Sequence, residues 1–304
     1  MILCVAANPS VDRLLEVERL AVGEIHRMVG EAHVAGGKGL NCARAAAALG
    51  AEVRAVALVG GFTGRWICEQ LEESGVAVTP VWTRDDTRTC VSVADRSSGL
   101  LTEFYEGGAR VGADVWGQFV TAVHDEAGGA AVMSISGSLP PGVPEQGYVE
   151  LMVGAGTTAF DSTAAGISAR PSIVKLNAAE SAVATKRKVE TFDDGHSAAR
   201  QLWADAGGEG HVAIVTLGER GAIMILPDGA ALSGHIDAFG LYAVGSGDAF
   251  LAGLLVARDR GSDWRDAFGL ALGAASANAE FPGVGVLLRD RAEALRDSAV
   301  VREV

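Results

Sequence analysis

Short apolar segments alternate with longer amphipathic segments along most of the chain. The apolar segments, which end at or next to Gly, Asn, Asp or Ser, are ILCVAA, VRAVALVG, GAAVMSISG, TTAFDS, SIVKLN and HVAIVTLG. The amphipathic segments between them include GLNCARAAAALG, GRWICEQLEESG, DVWGQFVTAVHDEAG and GHSAARQLWADAGG. Because the apolar segments are continuous and do not alternate with polar residues, we expect strands that are buried on both faces. The pattern therefore predicts an α/β fold with a mainly parallel sheet between layers of helices.

Two segments depart from this pattern. Residues 10–33 and 87–107 alternate polar and apolar side chains, and the second segment predicts a β-hairpin with DRSSG as its turn. Strands that are half polar do not fit a central core, so we expect these segments to form a small inserted β-sheet, a lid or subunit contact. Residues 1–9, 34–86 and 108–304 are expected to form the core, and the C-terminal third is expected to be helical throughout.

Net charge, apolar segment length and cysteine spacing indicate which partners and which cellular environment the protein can have. Among the 304 residues, 25 Lys and Arg against 38 Asp and Glu give a formal net charge of -13. No run of basic residues is present, which argues against nucleic acid and anionic membrane surfaces as partners. No signal peptide is expected, and no apolar segment reaches the roughly 20 residues of a membrane span. The scattered residues Cys4, Cys42, Cys68 and Cys90 predict reduced, mostly buried thiols in a cytoplasmic protein.

The segment YAVGSGDAFLAGLLVA, residues 242–257, combines a glycine-rich start with an apolar helix pattern. Gly245 and Gly247 allow a tight turn, and the free N–H groups and the dipole at the start of the helix favour an anion there. Asp248 follows in the first turn, and a carboxylate at this place argues against a membrane span. Asp248 either caps the helix or is a base for a hydroxyl that attacks a phosphoryl group held at the turn.

The segment AGGKGLNCARAAAALG, residues 35–50, also places glycines before a helix pattern. Gly36 and Gly37 let the backbone approach a ligand, Lys38 adds a cation, and Asn41 lies about one helical turn further on. The alternative is a strand-to-helix turn with a solvated lysine. The motifs GxxxxGK[ST] and GxGxxG are absent, so the chain lacks the signatures of P-loop nucleotide hydrolases and of Rossmann dehydrogenases.

Five regions together carry a resemblance to a known family. They are NPSVDR from Asn8, GGKGLN from Gly36, SGSLPPGVP from Ser136, KLNAAE from Lys175 with TLGERGA from Thr216, and VGSGDAFLAG from Val244. In this order they resemble the ribokinase-like (pfkB) carbohydrate kinases, in the branch of 1-phosphofructokinase and tagatose-6-phosphate kinase. The resemblance covers essentially the whole chain.

The resemblance implies a fold and a reaction. The fold is a three-layer αβα core with a mainly parallel sheet and a β-lid. In the reaction, ATP with Mg2+ phosphorylates a sugar hydroxyl. The turn of Gly245, Ser246 and Gly247 stabilises the transferred phosphoryl group, and Asp248 is the base. A monovalent cation stays open as a further cofactor.

The resemblance also implies binding residues. Those for the sugar are Asp12, Gly36, Gly37, Lys38, Asn41 and Ser138. Those for the nucleotide are Lys175, Asn177, Thr216, Gly218, Gly221 and Asn278, the last on a helix expected to border the adenine. Glu180 is implied to hold Mg2+ through water. Leu176 stands where the family usually has proline, and it leaves the polar residues on either side intact.

Three cations bear on the choice of sugar. Arg27 and Arg88 lie in the two lid segments, and with Lys38 they predict phosphate binding, because arginine pairs with phosphate in a bidentate manner. For each arginine the alternative is a solvated lid residue. We expect a ketohexose phosphate, with fructose 1-phosphate converted to fructose 1,6-bisphosphate as the preferred choice. Tagatose 6-phosphate, fructose 6-phosphate, a neutral sugar or a nucleoside stay open as acceptors, as does a catalytically inactive sugar sensor.

The lid segments also predict assembly. Their apolar residues Val91, Val93, Leu101 and Phe104 lie on a small sheet that needs a partner to bury them. The family resemblance points the same way. We therefore expect a homodimer that forms through the lid.

Overall fold

The computed structural model describes residues 1–152, 154, 156–238, 240, 242–281 and 283–304. Its strands are β1 (Ile2–Ala6), β2 (Ser10–Val17), β3 (Gly30–Gly36), β4 (Val53–Gly60), β5 (Ala77–Thr83), β6 (Thr89–Asp95), β7 (Leu100–Tyr105), β8 (Val132–Ser136), β9 (Thr158–Asp161), β10 (Ile173–Asn177), β11 (Val212–Thr216), β12 (Ala222–Ile225), β13 (Ala231–His235) and β14 (Val300–Glu303). Its α-helices are α1 (Lys38–Ala48), α2 (Gly61–Glu73), α3 (Ala113–Ala127), α4 (Gly147–Met152), α5 (Ala178–Thr185), α6 (Phe192–Ala206), α7 (Ser246–Asp259), α8 (Trp264–Asn278) and α9 (Arg289–Asp297). Short 3-10 helices cover Ala164–Ala169 and Gly218–Arg220.

A ten-stranded sheet forms the centre of the molecule, in the order β14-β13-β12-β11-β10-β9-β8-β1-β4-β5. The strands from β11 to β5 in this order pair in parallel, and β12, β13 and β14 extend one edge in antiparallel fashion. This arrangement confirms the mainly parallel sheet, and every apolar segment quoted for it forms one of its strands.

Apolar residues of the sheet pack on both of its faces. In β1, Ile2 and Cys4 join the cluster that includes α1, α7 and α8, whereas Leu3 and Val5 join the cluster that includes α3 and α6. Successive residues of a strand point to opposite faces, so a continuous apolar strand serves both helix layers. The predicted three-layer αβα core is therefore confirmed.

The four other strands form a separate sheet in the order β3-β2-β6-β7. Its outer pair β6 and β7 is the hairpin predicted around DRSSG. β3 continues to Gly36, past residue 33, so this strand leads directly into the glycine turn before α1. We call this four-stranded sheet the lid.

Several strands differ from the sequence prediction. β5, β12, β13 and β14 were not expected, and β14 shows that the C-terminal third is not helical throughout. β14 is four residues long and is added at the sheet edge by pairing with β13, which is a contact that local sequence does not encode. In the described part of the chain, no helix has the length and apolar character to cross a membrane.

The parallel strands bring polar residues to one edge of the sheet. β9 ends at Asp161, β10 ends at Asn177 and β11 ends at Thr216. In open α/β sheets, ligands bind outside the carboxyl ends of parallel strands. A functional site is therefore expected at this edge of the sheet.

Candidate active site

A cleft of about 890 Å³ lies at this edge. Asp12, Arg88 and Tyr105 of the lid line it, together with residues of the core that include Thr216 and Leu272. Asp12, Cys90 and Tyr105 occupy the same row across β2, β6 and β7, so the lid presents one polar row to the cleft. A volume of this size is in the range of pockets that bind small molecules and cofactors.

The start of α7 lies in the wall of the cleft. Gly245 is the N-cap with φ 80, and a Cβ there would lie 2.4 Å from Val284 Cγ1, so the turn requires glycine. The N–H of Gly247 meets no acceptor among the described residues, and a Cβ at Gly247 would lie 3.3 Å from Lys175 Nζ. Free N–H groups at a helix start beside an ammonium group form a site for an anion.

Asp248 lies in the first turn of α7 and is 6% exposed. Its Oδ2 accepts a hydrogen bond from Asn41 Nδ2 at 2.8 Å. Burial raises the pKa of Asp248 to about 7, with a contribution from the charge of Asp161, while the Asn41 hydrogen bond and two lysines oppose the rise. The interpretation of Asp248 as a helix cap is wrong, because Gly245 is the N-cap and no side chain in the described part of the molecule caps this helix. A buried carboxyl with this pKa is suited to take up a proton near neutral pH.

Two lysines converge on a buried carboxylate. Lys38 Nζ lies 2.9 Å from Asp161 Oδ1 and 2.5 Å from Glu180 Oε1, and Lys175 Nζ lies 2.8 Å from Asp161 Oδ2. Burial acts against the charge of Lys38, but the two carboxylates outweigh it and raise the pKa of Lys38 above its usual value. Burial likewise acts against the charge of Asp161, but both lysines outweigh it and lower its pKa. Lys38 is therefore charged at neutral pH, and both lysines line the cleft.

The sugar-side residues implied by the resemblance mostly lie together. Asp12 accepts hydrogen bonds from Ser10 Oγ at 2.6 Å and from the N–H of Gly37 at 3.4 Å. A Cβ on Gly36 would lie 2.0 Å from Asp12 Oδ2, and Gly37 has φ 90, so both glycines are required for this turn. Burial raises the pKa of Asp12, although its hydrogen bonds and nearby arginines oppose the rise.

The two predicted lid arginines differ in their surroundings. Arg88 lines the cleft, and its guanidinium donates to the backbone oxygens of Pro9, Glu106 and Asn8, at 3.3, 3.1 and 2.9 Å. Arg27 is exposed and does not line the cleft, so the structure does not bring the three predicted cations together within one chain.

The remaining sugar-side residue, Ser138, is exposed and accepts a hydrogen bond from Asn8 Nδ2 at 3.1 Å. It does not line the cleft. Its contact with Asn8 places it next to the turn between β1 and β2, outside the group of residues around Asp12.

The nucleotide-side residues also lie largely in the cleft. The residues that line it are Lys175, Asn177, Thr216, Gly218 and Gly221. Asn177 and Glu180 form a reciprocal capping box at the start of α5, which fixes the Glu180 carboxylate where Lys38 meets it.

Asn278 differs from its predicted role. It is fully buried, and its side chain binds Val244 O at 3.0 Å, Ser246 Oγ at 3.3 Å and the N–H of Gly285 at 2.9 Å. The helix that carries it does line the cleft, through residues such as Ala275 and Ser276, but Asn278 itself does not. Asn278 holds the turn before α7 against the segment that follows α8.

Two residues of the site were missed from the sequence. Asp161 is the last residue of β9, within the segment TTAFDS, and a charged residue at the carboxyl end of a buried parallel strand is a signal that could have identified it. Arg44 lies among alanines in α1, where an exposed position is the usual expectation, yet it is 8% exposed and donates to Asn41 Oδ1 at 2.9 Å. Its role depends on tertiary contacts that the local pattern does not contain.

Comparisons with known proteins all find carbohydrate kinases. The model of the pfkB family carbohydrate kinases matches residues 3–291. A 1-phosphofructokinase of Haloferax volcanii is 34% identical over 284 residues, which cover 91% of this chain and 90% of that protein. A 1-phosphofructokinase of Rhodobacter capsulatus is 29% identical over 276 residues, which cover 88% and 86%. The crystal structure of phosphofructokinase-2 from Escherichia coli in complex with potassium has a TM-score of 0.88 at 24% identity, over 97% of this chain and 98% of that one, and shares the fold.

Proposed function

The chain belongs to the pfkB family of carbohydrate kinases, and from that premise we propose that it transfers the γ-phosphoryl group of ATP to fructose 1-phosphate, with Asp248 as the base. The observation that carries the proposal is a single arrangement: a buried carboxyl with a pKa of about 7, the N–H of Gly247, which meets no acceptor among the described residues, and the side chains of Lys38 and Lys175. The N-terminus and the lysines attract a phosphoryl group, and the carboxyl can accept the proton of the attacking hydroxyl. A sugar sensor without catalysis needs no such pair of groups.

The transfer follows from the positions of these residues. An acceptor hydroxyl next to Asp248 gives its proton to the carboxylate while its oxygen attacks the γ-phosphorus. The bond between the γ-phosphorus and the β,γ-bridging oxygen breaks in the same transfer, and ADP leaves with that oxygen. The N–H of Gly247 and the ammonium of Lys175 face the charge that spreads over the phosphoryl oxygens in the transition state. Lys38 is held in place by Asp161 and Glu180, so little reorganisation is needed when the nucleotide arrives.

The residues fit magnesium that is bound together with the nucleotide. The described residues contain no group of three or more His, Cys, Asp or Glu side chains that could hold a metal alone. Mg2+ at nucleotide sites keeps several waters and needs only one or two carboxylates besides the phosphates. Glu180, whose side chain is 26% exposed, is our candidate to hold it through water. The ion would neutralise charge on the phosphates.

A phosphorylated acceptor is supported by the cations and by the named relatives. Arg88 uses three of its five N–H groups on backbone oxygens, which leaves two for a phosphate, and it lies at the lid end of the cleft with Asp12. The relatives from Haloferax volcanii and Rhodobacter capsulatus are named 1-phosphofructokinase. A neutral sugar or nucleoside kinase is the second candidate, since Arg27 is exposed to solvent.

A substrate comparison tests the proposal. ADP release would be measured with fructose 1-phosphate, fructose 6-phosphate, tagatose 6-phosphate, fructose and ribose, and phosphorus NMR would identify the product. We expect the highest kcat/KM with fructose 1-phosphate. A higher value for either 6-phosphate would reassign the acceptor, and a higher value for a neutral sugar would overturn the phosphosugar proposal.

We further propose that the protein forms a homodimer through the lid and is activated by a monovalent cation. The lid strand β7 is exposed along its whole length, which supports the dimer. The Escherichia coli phosphofructokinase-2 structure contains potassium, which supports the cation. Activity in potassium and in tetramethylammonium salts at equal ionic strength tests the cation: equal rates would contradict it.

A further inference from the structure

Arg44 is a buried arginine beside the site, and the reaction described above does not use it. Its Nε donates to Ala35 O at 3.0 Å, and its Nη2 donates to Asn41 Oδ1 at 2.9 Å and to Val284 O. These partners belong to the end of the lid strand β3, to α1 itself and to the segment that packs against Gly245. One guanidinium therefore joins three segments that surround the base.

The contact with Asn41 determines which way its amide points. Because Arg44 occupies Oδ1, the Nδ2 group of Asn41 faces Asp248 Oδ2 at 2.8 Å. In the opposite orientation the amide N–H groups would face the guanidinium, where two donors repel. A protonated Asp248 could otherwise donate to a rotated Asn41 oxygen, which would stabilise the protonated carboxyl. Arg44 removes that option.

We propose that Arg44 is a positioning residue for the base: it fixes the Asn41 amide as a donor to Asp248 and so favours the ionised carboxylate. The inference rests on the proposed function, in which Asp248 accepts a proton. It adds to that function a residue that contacts neither substrate nor nucleotide. Arg44 does not line the cleft, which separates its role from substrate binding.

The charges around Asp248 support this role. Burial and Asp161 raise the pKa of Asp248, whereas Lys38 and Lys175 lower it. Burial lowers the pKa of Arg44 to about 10, while the charges of Asp12 and, to a smaller extent, of Asp248 oppose that change, so the guanidinium is charged at neutral pH. Arg44 thus favours the ionised base both through its own charge and through Asn41.

Kinetics of Arg44→Met and Arg44→Lys test the proposal. We expect Arg44→Met to lower kcat about ten- to a hundredfold, the usual effect of losing a hydrogen bond to a charged group, with the KM for ATP changed less than about threefold. The acid limb of the kcat profile should move to higher pH. Arg44→Lys keeps a charge and one donor, so it should recover part of kcat and should move the acid limb less.

A control variant separates this effect from the general loss of an arginine that forms tertiary contacts. Arg54 lies on β4, pairs with Glu126 at 3.2 Å and does not line the cleft. Arg54→Met should leave kcat and its pH profile unchanged. A folded Arg44→Met variant with an unchanged acid limb, whatever its kcat, would overturn the proposal. If Arg44→Met does not fold, the same criterion applies to Arg44→Lys.

A double-mutant cycle tests whether Arg44 acts through Asn41. In an Asn41→Leu background, Arg44→Met should cause a smaller loss of kcat than in the wild type, because the amide that it orients is gone and only the effect of its charge on Asp248 remains. Losses that multiply in the double variant would show that the two residues act independently and would contradict the proposal.

Carbon NMR separates this inference from the proposed function. With aspartate labelled at its carboxyl carbon, the Asp248 signal can be assigned by its absence in Asp248→Asn, and its pKa can be compared in wild type and Arg44→Met. We expect a higher Asp248 pKa in the variant, and an unchanged pKa overturns the inference even in an active kinase. If the wild type phosphorylates none of the sugars tested, the proposed function fails, while this titration still decides the role of Arg44.

Discussion

At the scale of single residues, the pKa of Asp248 is the property with the most direct kinetic consequence. Burial raises it to about 7, so the carboxyl is partly protonated at neutral pH. Only the ionised form can accept a proton. We therefore expect the logarithm of kcat to rise with unit slope against pH up to about pH 7 and then to level off. The measurement is kcat from about pH 5 to about pH 9 with both substrates saturating. An acid limb centred near pH 4, the ordinary value for an aspartate, would contradict the assignment.

The same pKa affects stability in a predictable direction. The folded-state pKa of Asp248 lies above 3.8, the ordinary value for an aspartate, so folding favours the protonated form. The stabilisation that this provides is present below about pH 4 and is lost as the pH rises through about 7. Relative to Asp248→Asn, the wild type should therefore lose on the order of a few kcal/mol of unfolding free energy across this interval. Equal pH dependence of unfolding in both proteins would contradict the raised pKa.

Gly245 and Gly247 offer a matched pair of substitutions. Gly245 has positive φ and would place a Cβ 2.4 Å from Val284 Cγ1, so Gly245→Ala should lower Tm by an amount that reflects at least about 1 kcal/mol. Gly247 has no positive φ, and its Cβ would lie 3.3 Å from Lys175 Nζ. Gly247→Ala should therefore keep Tm and lower kcat, because it displaces the ammonium from the anion site. Loss of Tm in Gly247→Ala without loss of kcat would show that residue 247 is structural.

At the scale of elements, Arg88 joins the lid to the core. Its contacts to the oxygens of Asn8 and Pro9 lead us to expect that Arg88→Ala lowers Tm, and the loss of its remaining donors should raise the KM for fructose 1-phosphate roughly ten- to a hundredfold. The KM for ATP should change little. Arg88→Lys should not restore either property, because an ammonium cannot span the three backbone oxygens. An equal rise of both KM values would show that Arg88 has only a structural role.

The sequence predicted the elements best where their pattern is continuous. The strands with unbroken apolar runs and the amphipathic helices between them are all present, since burial on both faces leaves a strong signal. β5 was missed because Pro80 interrupts it and only one of its seven residues is buried, so it lacks a continuous apolar run. The hairpin of β12 and β13 has a usable signal, the turn residues 227–229, Pro-Asp-Gly, where Gly229 N–H donates to Leu226 O.

The candidate site was predicted only where its residues carry a local sequence signal. Residues next to glycine turns and helix starts, such as Lys38 and Asp248, carry a local signal. Arg44 and Asn278 do not, because each is a polar residue inside a helix whose partners come from distant segments. The surroundings of Arg27 likewise depend on how the lid folds, and only the structure shows that it lies outside the cleft.

At the scale of the whole molecule, the lid has an exposed apolar surface. Leu101 is 41% exposed and Phe104 is 60% exposed on β7, whereas Val91 and Val93 are only partly exposed. If two lids pair, the double variant Leu101→Ser and Phe104→Ser should convert a dimer to a monomer at micromolar concentration in light scattering. Val183→Ser, at a position 75% exposed on α5, is the matched control and should keep the dimer. A wild type that is monomeric with and without ligand would contradict the prediction.

The cleft brings three cations together in a protein whose formal net charge is negative. The chain carries a formal net charge of -13, yet Lys38, Lys175 and Arg88 all line one cleft. A nucleotide and a phosphosugar are both anionic, so local cations must overcome the repulsion of the whole protein. Lys38, Lys175 and Arg88 supply this local positive charge, and they lie beside four acidic residues that also line the cleft, Asp12, Asp161, Glu219 and Asp248.

The most direct test of the account is the kcat of Asp248→Asn. Asparagine is nearly isosteric with aspartate but cannot accept the proton of the attacking hydroxyl. We expect kcat to fall by about 10² to 10⁴, while the KM for ATP is retained and Tm is equal to or higher than that of the wild type. A kcat close to that of the wild type in a folded Asp248→Asn variant would contradict the assignment of Asp248 as the base and the mechanism built on it.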